Sequence, residues 1–115
     1  MSTEGIKHDA GKAPMDLLSG QMLYEVARVL EFGAAKYARN NWRRGFLYSR
    51  LISASMRHIH AFNDGQDSDP ETGLSHIAHA ICMLMFLLEL HSRQDSELDD
   101  RYKHERIPSW LSSPQ

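Results

Sequence analysis

The fold of this chain depends on one apolar stretch, residues 77–90, which reads IAHAICMLMFLLEL. Apolar side chains would cover nearly every side of a helix here, so the helix should be central or form part of an oligomer interface. Together with its flanks, the stretch predicts a helix over residues 73–92. It contains Glu89 and is too short to span a bilayer. We therefore expect a buried core helix and no membrane partner.

Two further helices are predicted upstream. Ser19 can cap a helix over residues 20–37, and a second apolar pattern covers residues 49–63. No run alternates apolar and polar residues with the period of a strand. The sequence predicts an all-α fold, a bundle of three main helices in residues 1–92, followed by a charged, partly flexible tail in residues 93–115. Because three short helices bury only a modest core, we also expect a homo-oligomer.

The composition limits the possible partners and compartments. The net charge of the 115 residues is −2, so an extensive basic surface is not indicated and no duplex nucleic acid is expected as a partner. Cys82 is the one cysteine, which fits a reducing compartment. The polar first 14 residues contain no apolar signal core. These features predict a cytoplasmic protein.

Histidines and carboxylates are concentrated between residues 58 and 79. His76 and His79 are three residues apart and share a helix face, close to four carboxylates in residues 64–71. Taken singly, a carboxylate here could cap the helix and a histidine could be a hydrogen-bonded core residue. Together they favour a polar pocket between the second and third helices. Carboxylates suit Mg²⁺ or Mn²⁺, and imidazole shifts the preference towards Mn²⁺ or a softer ion. The predicted metal ligands are His58, Asp69, Glu71, His76 and His79.

A second group of residues is basic or aromatic and could bind a polyphosphate. Fixed ammonium and guanidinium groups beside a metal site are what such a ligand requires. Taken singly, Lys36 could interact with a helix dipole, Arg43 and Arg44 could be solvated, and Tyr37 and Trp42 could be core aromatics. The predicted nucleotide- and phosphate-binding residues are Lys7, His8, Asp9, Lys12, Lys36, Tyr37, Asn41, Trp42 and Arg57.

Four segments in this order resemble the dATP/dGTP diphosphohydrolase N-terminal family found in phages. They are GIKHDAGKAPMDLL (5–18), VARVLEFGAAKYARNNWRRG (26–45), RHIHAF (57–62) and DPETGLSHIAHAICMLMFLLEL (69–90). The family is similar to the MazG-type all-α nucleotide pyrophosphohydrolases. The resemblance implies an oligomeric helical fold, a divalent metal, and release of pyrophosphate from deoxypurine triphosphates, in the host bacterial cytoplasm if the chain is phage-encoded.

The chain departs from the MazG-type pattern in one respect. That pattern has Glu-x-x-Glu on one helix and Glu-x-x-Asp on the next, and the four carboxylates hold Mg²⁺. Here the corresponding places read RHIH at residues 57–60 and HIAH at residues 76–79. If metal binds, Glu71 and the loop aspartates must supply the oxygen ligands, with histidine assisting. Otherwise the fold has kept a nucleotide pocket without the hydrolytic metal site.

The favoured function is hydrolysis of dATP or dGTP to the monophosphate and pyrophosphate, with Mg²⁺ or Mn²⁺ as cofactor. The predicted catalytic residues are Glu71, His76 and His79, with Asp69 and His58 as second choices. Two alternatives remain open. One is a phage protein that sequesters a nucleotide or a nucleotide signal without cleaving it, and the other is a helical adaptor whose charged clusters are only surface and caps.

Overall fold

The computed structural model describes residues 3–94, 96–103 and 109–112. It confirms the all-α prediction, since these residues contain no strand and only one isolated bridge, between Ser68 and Ser75. The α-helices are α1 (Gly20–Lys36), α2 (Tyr48–Asn63), α3 (His76–Ser92) and the single turn α4 (Ser109–Ser112). Single 3₁₀ turns lie at Met15–Leu17, Asn41–Arg44 and Ser96–Leu98.

Two serines set the starts of the longer helices. The Ser19 side chain accepts a hydrogen bond from the backbone N–H of Met22, as predicted for a capping residue. The Ser75 side chain accepts from the N–H groups of Ile77 and Ala78, so α3 begins at His76. The predicted start at residue 73 was wrong, because Gly73 has a φ of +71° and belongs to the preceding loop.

The third helix is the centre of the molecule, as its apolar sequence indicates. Both α1 and α2 pack mainly against α3 rather than against each other. Cys82 and Leu90 of α3 are almost completely buried, and Val26 and Val29 of α1 and Leu51 of α2 join them in one core cluster. An open groove therefore runs between α1 and α2, with α3 below it.

Residues 96–103 pack against the start of α2. A Cβ placed on Gly45 would lie 2.8 Å from Cδ1 of Leu98, so this glycine allows the close approach of the segment. The Asp100 carboxylate accepts hydrogen bonds from the backbone N–H and the hydroxyl of Ser49, and thereby caps α2 from a distant part of the chain. The division of the chain at residue 92 stays a prediction.

No helix in the described part of the chain combines the length and the apolar character needed to cross a bilayer.

Candidate functional site

The groove between α1 and α2, here called the α1–α2 groove, has a volume of about 1160 Å³. Leu30, Gly33 and Lys36 line it from α1, and Ser53 and Ala54 line it from α2. Its floor is formed by α3, with the residues His79, Cys82, Met83 and Phe86. The lining includes the small residues Gly33 of α1 and Ser53 and Ala54 of α2. This volume accommodates a small-molecule ligand the size of a nucleotide.

Three histidines meet at one end of the groove, where α2 crosses the start of α3. The Nδ1 atoms of His58 and His76 are 2.8 Å apart, and the rings of His58 and His79 stack with centroids 4.5 Å apart. His76 is 4% exposed and its Nε2 lies 2.6 Å from Oε1 of Gln66, within hydrogen-bond distance. Nε2 of His79 is hydrogen-bonded to the Thr72 hydroxyl at 2.7 Å. The predicted polar side chains therefore meet between the second and third helices, and their use as a functional pocket stays a prediction.

The loop between α2 and α3 places Asp69 beside these rings. Oδ1 of Asp69 accepts hydrogen bonds from the backbone N–H groups of Glu71 and Thr72, at 2.8 and 3.0 Å. Asp69 is not the cap of the third helix, because Ser75 holds that position. Asp69 instead stabilises the turn of the loop, and this turn fixes its carboxylate next to the imidazoles.

His58, Asp69 and His76 form the group in the described residues that could hold a metal ion, and we call them the His–Asp cluster. One ligand atom of each lies within 4.8 Å of the others. Two imidazole nitrogens and one carboxylate oxygen fit Mn²⁺ or a softer transition metal better than Mg²⁺, which prefers oxygen ligands. His79 and Glu71, also predicted as ligands, lie beside this group but are not part of it.

The protonation states suit a site that accepts protons or binds cations. Burial lowers the pKa of His58, and the neighbouring His79 and His76 lower it further. Burial also lowers the pKa of His79, although Asp69 opposes this effect. Burial alone would raise the pKa of Asp69, but the hydrogen bonds from Thr72 and Glu71 hold it below the usual range. Near neutral pH, His58 and His79 are therefore uncharged and Asp69 is ionised.

Cys82 on the groove floor is not a reactive thiol. Burial raises the pKa of Cys82 to about 12, and its side chain belongs to the apolar core. Because the thiolate is the nucleophilic and metal-binding form, Cys82 contributes packing rather than chemistry.

Glu71 lies near the histidines, but its side chain forms an ion pair with Lys36. Its Oε1 accepts a hydrogen bond from Nζ of Lys36 at 3.0 Å, which joins the loop to the end of α1 across the groove. The hydrogen bond and the charge of Glu71 raise the pKa of Lys36. Both side chains are about half exposed or more, at 48% for Lys36 and 62% for Glu71. The assignment of Glu71 as a catalytic residue stays a prediction.

Basic residues also line the groove. Arg57, a predicted phosphate-binding residue, lines it together with Arg39 and Arg50, which were not predicted. In the part of the chain that the structure describes, these three arginines have no carboxylate within ion-pair distance. Arg50 and Arg57 are seven residues apart on α2, and this helical spacing was the signal that could have found Arg50.

The aromatic residues of the predicted set differ in their availability. Trp42 lies parallel to Phe86 of the core, with ring centroids 4.7 Å apart, and the Arg43 guanidinium lies 4.6 Å from the Trp42 ring. Its ring is therefore largely used in packing. Tyr37 is 66% exposed and lines the groove, as does Asn41. Of the two aromatic rings, Tyr37 is the more accessible surface for a base.

The structure does not bring the N-terminal part of the predicted site to the groove. Lys7, His8, Asp9 and Lys12 are all exposed, and none of them lines the groove. The loop that carries them contains one turn, in which the backbone N–H of Lys12 donates to the carbonyl of Asp9. Their contact with a nucleotide stays a prediction.

Comparison with known proteins agrees with the resemblance found in the sequence. Residues 2–101 match the family model described as dATP/dGTP diphosphohydrolase, N-terminal. A protein of Salmonella phage PMBT28 named dATP/dGTP diphosphohydrolase is 44% identical over 98 residues, which cover 85% of this chain. These residues span only 33% of that relative's length. No solved structure matches the chain. Because the family model covers most of its length, the chain belongs to the dATP/dGTP diphosphohydrolase N-terminal family.

Proposed function

We propose that this protein hydrolyses dATP and dGTP to the monophosphate and pyrophosphate in the α1–α2 groove. The observation that carries the proposal is the arrangement of charge along the groove. The His–Asp cluster lies at one end, and Arg39, Arg50 and Arg57 line the groove without carboxylate partners in the described residues. The name of the Salmonella phage relative supports the choice of substrate.

The arginines would bind the β- and γ-phosphates. A guanidinium group can donate two parallel hydrogen bonds to a phosphate and stays charged at any physiological pH. Because Arg50 and Arg57 are on the rigid helix α2, their spacing is fixed before the ligand arrives. Lys36 is held by Glu71 and would add a further positive charge at the end of α1.

The α-phosphate would then lie near the His–Asp cluster. Water attacks the α-phosphorus, the bond to the bridging oxygen breaks, and pyrophosphate leaves with that oxygen. His79 is uncharged near neutral pH and is not part of the group that would hold the ion, so it can accept the proton of the attacking water. Thr72 fixes the ring of His79 through its hydroxyl, so this imidazole is oriented in advance.

The cofactor would be a divalent ion held by His58, Asp69 and His76. When bound, such an ion neutralises phosphate charge and lowers the pKa of water. Metal binding can be measured without turnover, by titrating the protein with Mn²⁺ and following the free ion by electron paramagnetic resonance. We expect His58→Ala to weaken binding and His60→Ala, an exposed histidine on the same helix, to leave it unchanged. Equal affinity in the two variants would contradict this ligand set.

The reaction itself is tested by incubating the purified protein with dGTP or dATP and Mg²⁺ or Mn²⁺, then separating the products by chromatography. We expect the monophosphate and pyrophosphate in equal amounts. A diphosphate with inorganic phosphate would mean attack at the γ-phosphorus. Nucleotide recovered intact from the denatured protein would instead indicate the sequestering function.

We also propose a MazG-like homo-oligomer in the host cytoplasm. Large apolar side chains on all three long helices are more than a third exposed in the single chain, which is a large apolar surface for a protein of this size. They include Met22, Leu23, Met56, Ile59, Phe62, Ile81, Leu84, Met85 and Leu88. In a symmetric oligomer, a second copy of the chain would cover these side chains.

Light scattering during size-exclusion chromatography tests this association. We expect the wild type to elute as an oligomer and Leu88→Glu, at a side chain that is 71% exposed on α3, to shift it towards the monomer. Leu17→Glu is the matched control, because Leu17 is 77% exposed but lies outside the long helices. A wild-type monomer at every concentration would contradict the proposal.

A further inference from the structure

Gln66, which no part of the sequence pattern singled out, is an exposed residue whose side chain contacts His76 of the His–Asp cluster. It follows α2 by three residues, and its backbone N–H donates to the carbonyl of Ala61 at 3.0 Å. The preceding Gly65 has a φ of +99°, a conformation that glycine adopts at little cost. The position of Gln66 is thus set by the end of α2, while its side chain reaches back to α3.

The contact between Gln66 and His76 determines which ring nitrogen carries the proton. Oε1 of Gln66 lies 2.6 Å from Nε2 of His76, and a carbonyl oxygen can only accept a hydrogen bond. Nε2 must therefore be the protonated nitrogen. Because a neutral imidazole has one N–H, Nδ1 of His76 then carries a lone pair. His76 is 4% exposed, so its buried ring needs hydrogen-bond partners, and Gln66 supplies one of them.

The lone pair on His76 decides what His58 can do. The two Nδ1 atoms are 2.8 Å apart. Without a cation, His58 must donate its Nδ1–H to His76, and this leaves Nε2 of His58 with a lone pair. With a cation, both Nδ1 lone pairs are available to the same ion. Both arrangements, the hydrogen bond from His58 to His76 and the binding of one ion by the two Nδ1 atoms, require the proton of His76 to be on Nε2.

We propose that Gln66 is a positioning residue that fixes His76 in the Nε2–H tautomer and thereby supplies the lone pairs of the His–Asp cluster. The expected effect of Gln66 on catalysis rests on the proposed function. The tautomer of His76 does not depend on that function. The arrangement corresponds to a common feature of metal-binding histidines, whose second nitrogen donates to a carbonyl or carboxylate group.

The tautomer can be read from the ¹⁵N chemical shifts of the His76 ring in protein labelled on histidine, with a chelator present. We expect a protonated Nε2 in the wild type and in Gln66→Glu, because a carboxylate also accepts. Gln66→Leu removes the acceptor, and we expect Nε2–H to be lost or mixed with Nδ1–H. Gln21→Leu, on the exposed start of α1, is the matched control and should leave the ring signals unchanged.

Hydrolysis of dGTP supplies the second readout. We expect Gln66→Leu to lower kcat by about 10–100-fold, the range for outer contacts of site histidines, and Gln66→Glu to retain most of it. A protonated Nδ1 in the wild type would overturn the proposal, even if the leucine variant does not fold. An unchanged tautomer in a folded Gln66→Leu protein would overturn it too. A chain with no hydrolase activity would refute the proposed function and leave the tautomer result standing.

Discussion

Two polar loops of this protein carry charged residues at comparable density but are held very differently. Residues 64–75 connect α2 to α3, and residues 3–14 precede α1. In the first loop, Asp69 binds two backbone N–H groups, and the side chains of Gln66 and Thr72 bind histidines of α3. In the second loop, every residue is exposed and the Asp9–Lys12 turn is the one internal backbone bond described within it.

Of these two loops, only the one between α2 and α3 has charged and polar side chains held in place by contacts with packed helices. The loop at 64–75 is anchored at both ends by helices that pack on the core, so its carboxylate is placed before any ligand arrives. Residues 3–14 are exposed and do not line the groove, so they would have to move in order to contact a nucleotide bound there. The predictions below test this contrast.

The largest effect is expected from Asp69→Asn. The amide oxygen can still accept the N–H groups of the turn, so the loop should persist while the negative charge is lost. We expect kcat for dGTP hydrolysis to fall roughly 10²–10³-fold, the range for one preorganised electrostatic contact. Asp67→Asn, an exposed position in the same loop, is the control. Equal activity in the two variants would contradict the role of Asp69.

The second prediction concerns the KM for dGTP, which should depend more on an arginine of α2 than on the lysines of the N-terminal loop. Arg57→Ala should raise the KM for dGTP about 10–100-fold, because a charge-assisted hydrogen bond contributes about 1.5–3 kcal/mol. Lys7→Ala and Lys12→Ala should each raise it by less than about fivefold, since one exposed ion pair contributes up to about 1 kcal/mol. If either lysine variant has the larger effect, the N-terminal loop folds over the ligand and the contrast fails.

A smaller effect is expected on stability when either of two glycines with similar positive φ values is replaced by alanine. Gly73 and Gly11 have φ values of +71° and +84°, and a Cβ on either would meet nothing within 4 Å. Gly73→Ala should lower the free energy of unfolding by about 1–2 kcal/mol, the cost of the left-handed conformation. Gly11→Ala should change it by less than about 0.5 kcal/mol, because its loop can relax. Urea denaturation measures both, and equal losses would mean that the N-terminal loop is as firmly held.

The smallest effect is a dependence of stability on pH. Burial lowers the pKa of His79 and of His58 in the folded state, so the unfolded chain binds more protons in the ordinary histidine range. The free energy of unfolding should therefore fall as the pH drops below about 6.5, the usual histidine pKa. Measured with a chelator present, His79→Gln should reduce this slope. The exposed His8→Gln is the control, and a larger change there would contradict the assignment.

The helices could be predicted from the sequence because apolar periodicity and capping residues lie within or next to each helix. The apolar run at residues 77–90 required a central helix, and Ser19 marked a start that the structure confirms. The start of α3 was missed by three residues, since Leu74 and Ser75 continue the polar–apolar pattern while Gly73 adopts a positive φ.

The site was harder to predict because its partners are far apart in the chain. The histidines and Asp69 were selected as a group, and the structure brings His58, Asp69 and His76 together. Gln66 was not selected, because nothing in a single glutamine indicates that its carbonyl meets a histidine ten residues later. Arg39 and Arg50 were missed because the groove exists only once α1 and α2 both pack on α3.

The most direct test of this account is a crystal structure of the protein with Mn²⁺ and a dGTP analogue that carries a methylene group between the α- and β-phosphates. We expect the ion at His58, Asp69 and His76, and the β- and γ-phosphates on Arg50 and Arg57 within the α1–α2 groove. A nucleotide held outside this groove by Lys7 and Lys12, with no ion at the His–Asp cluster, would contradict it.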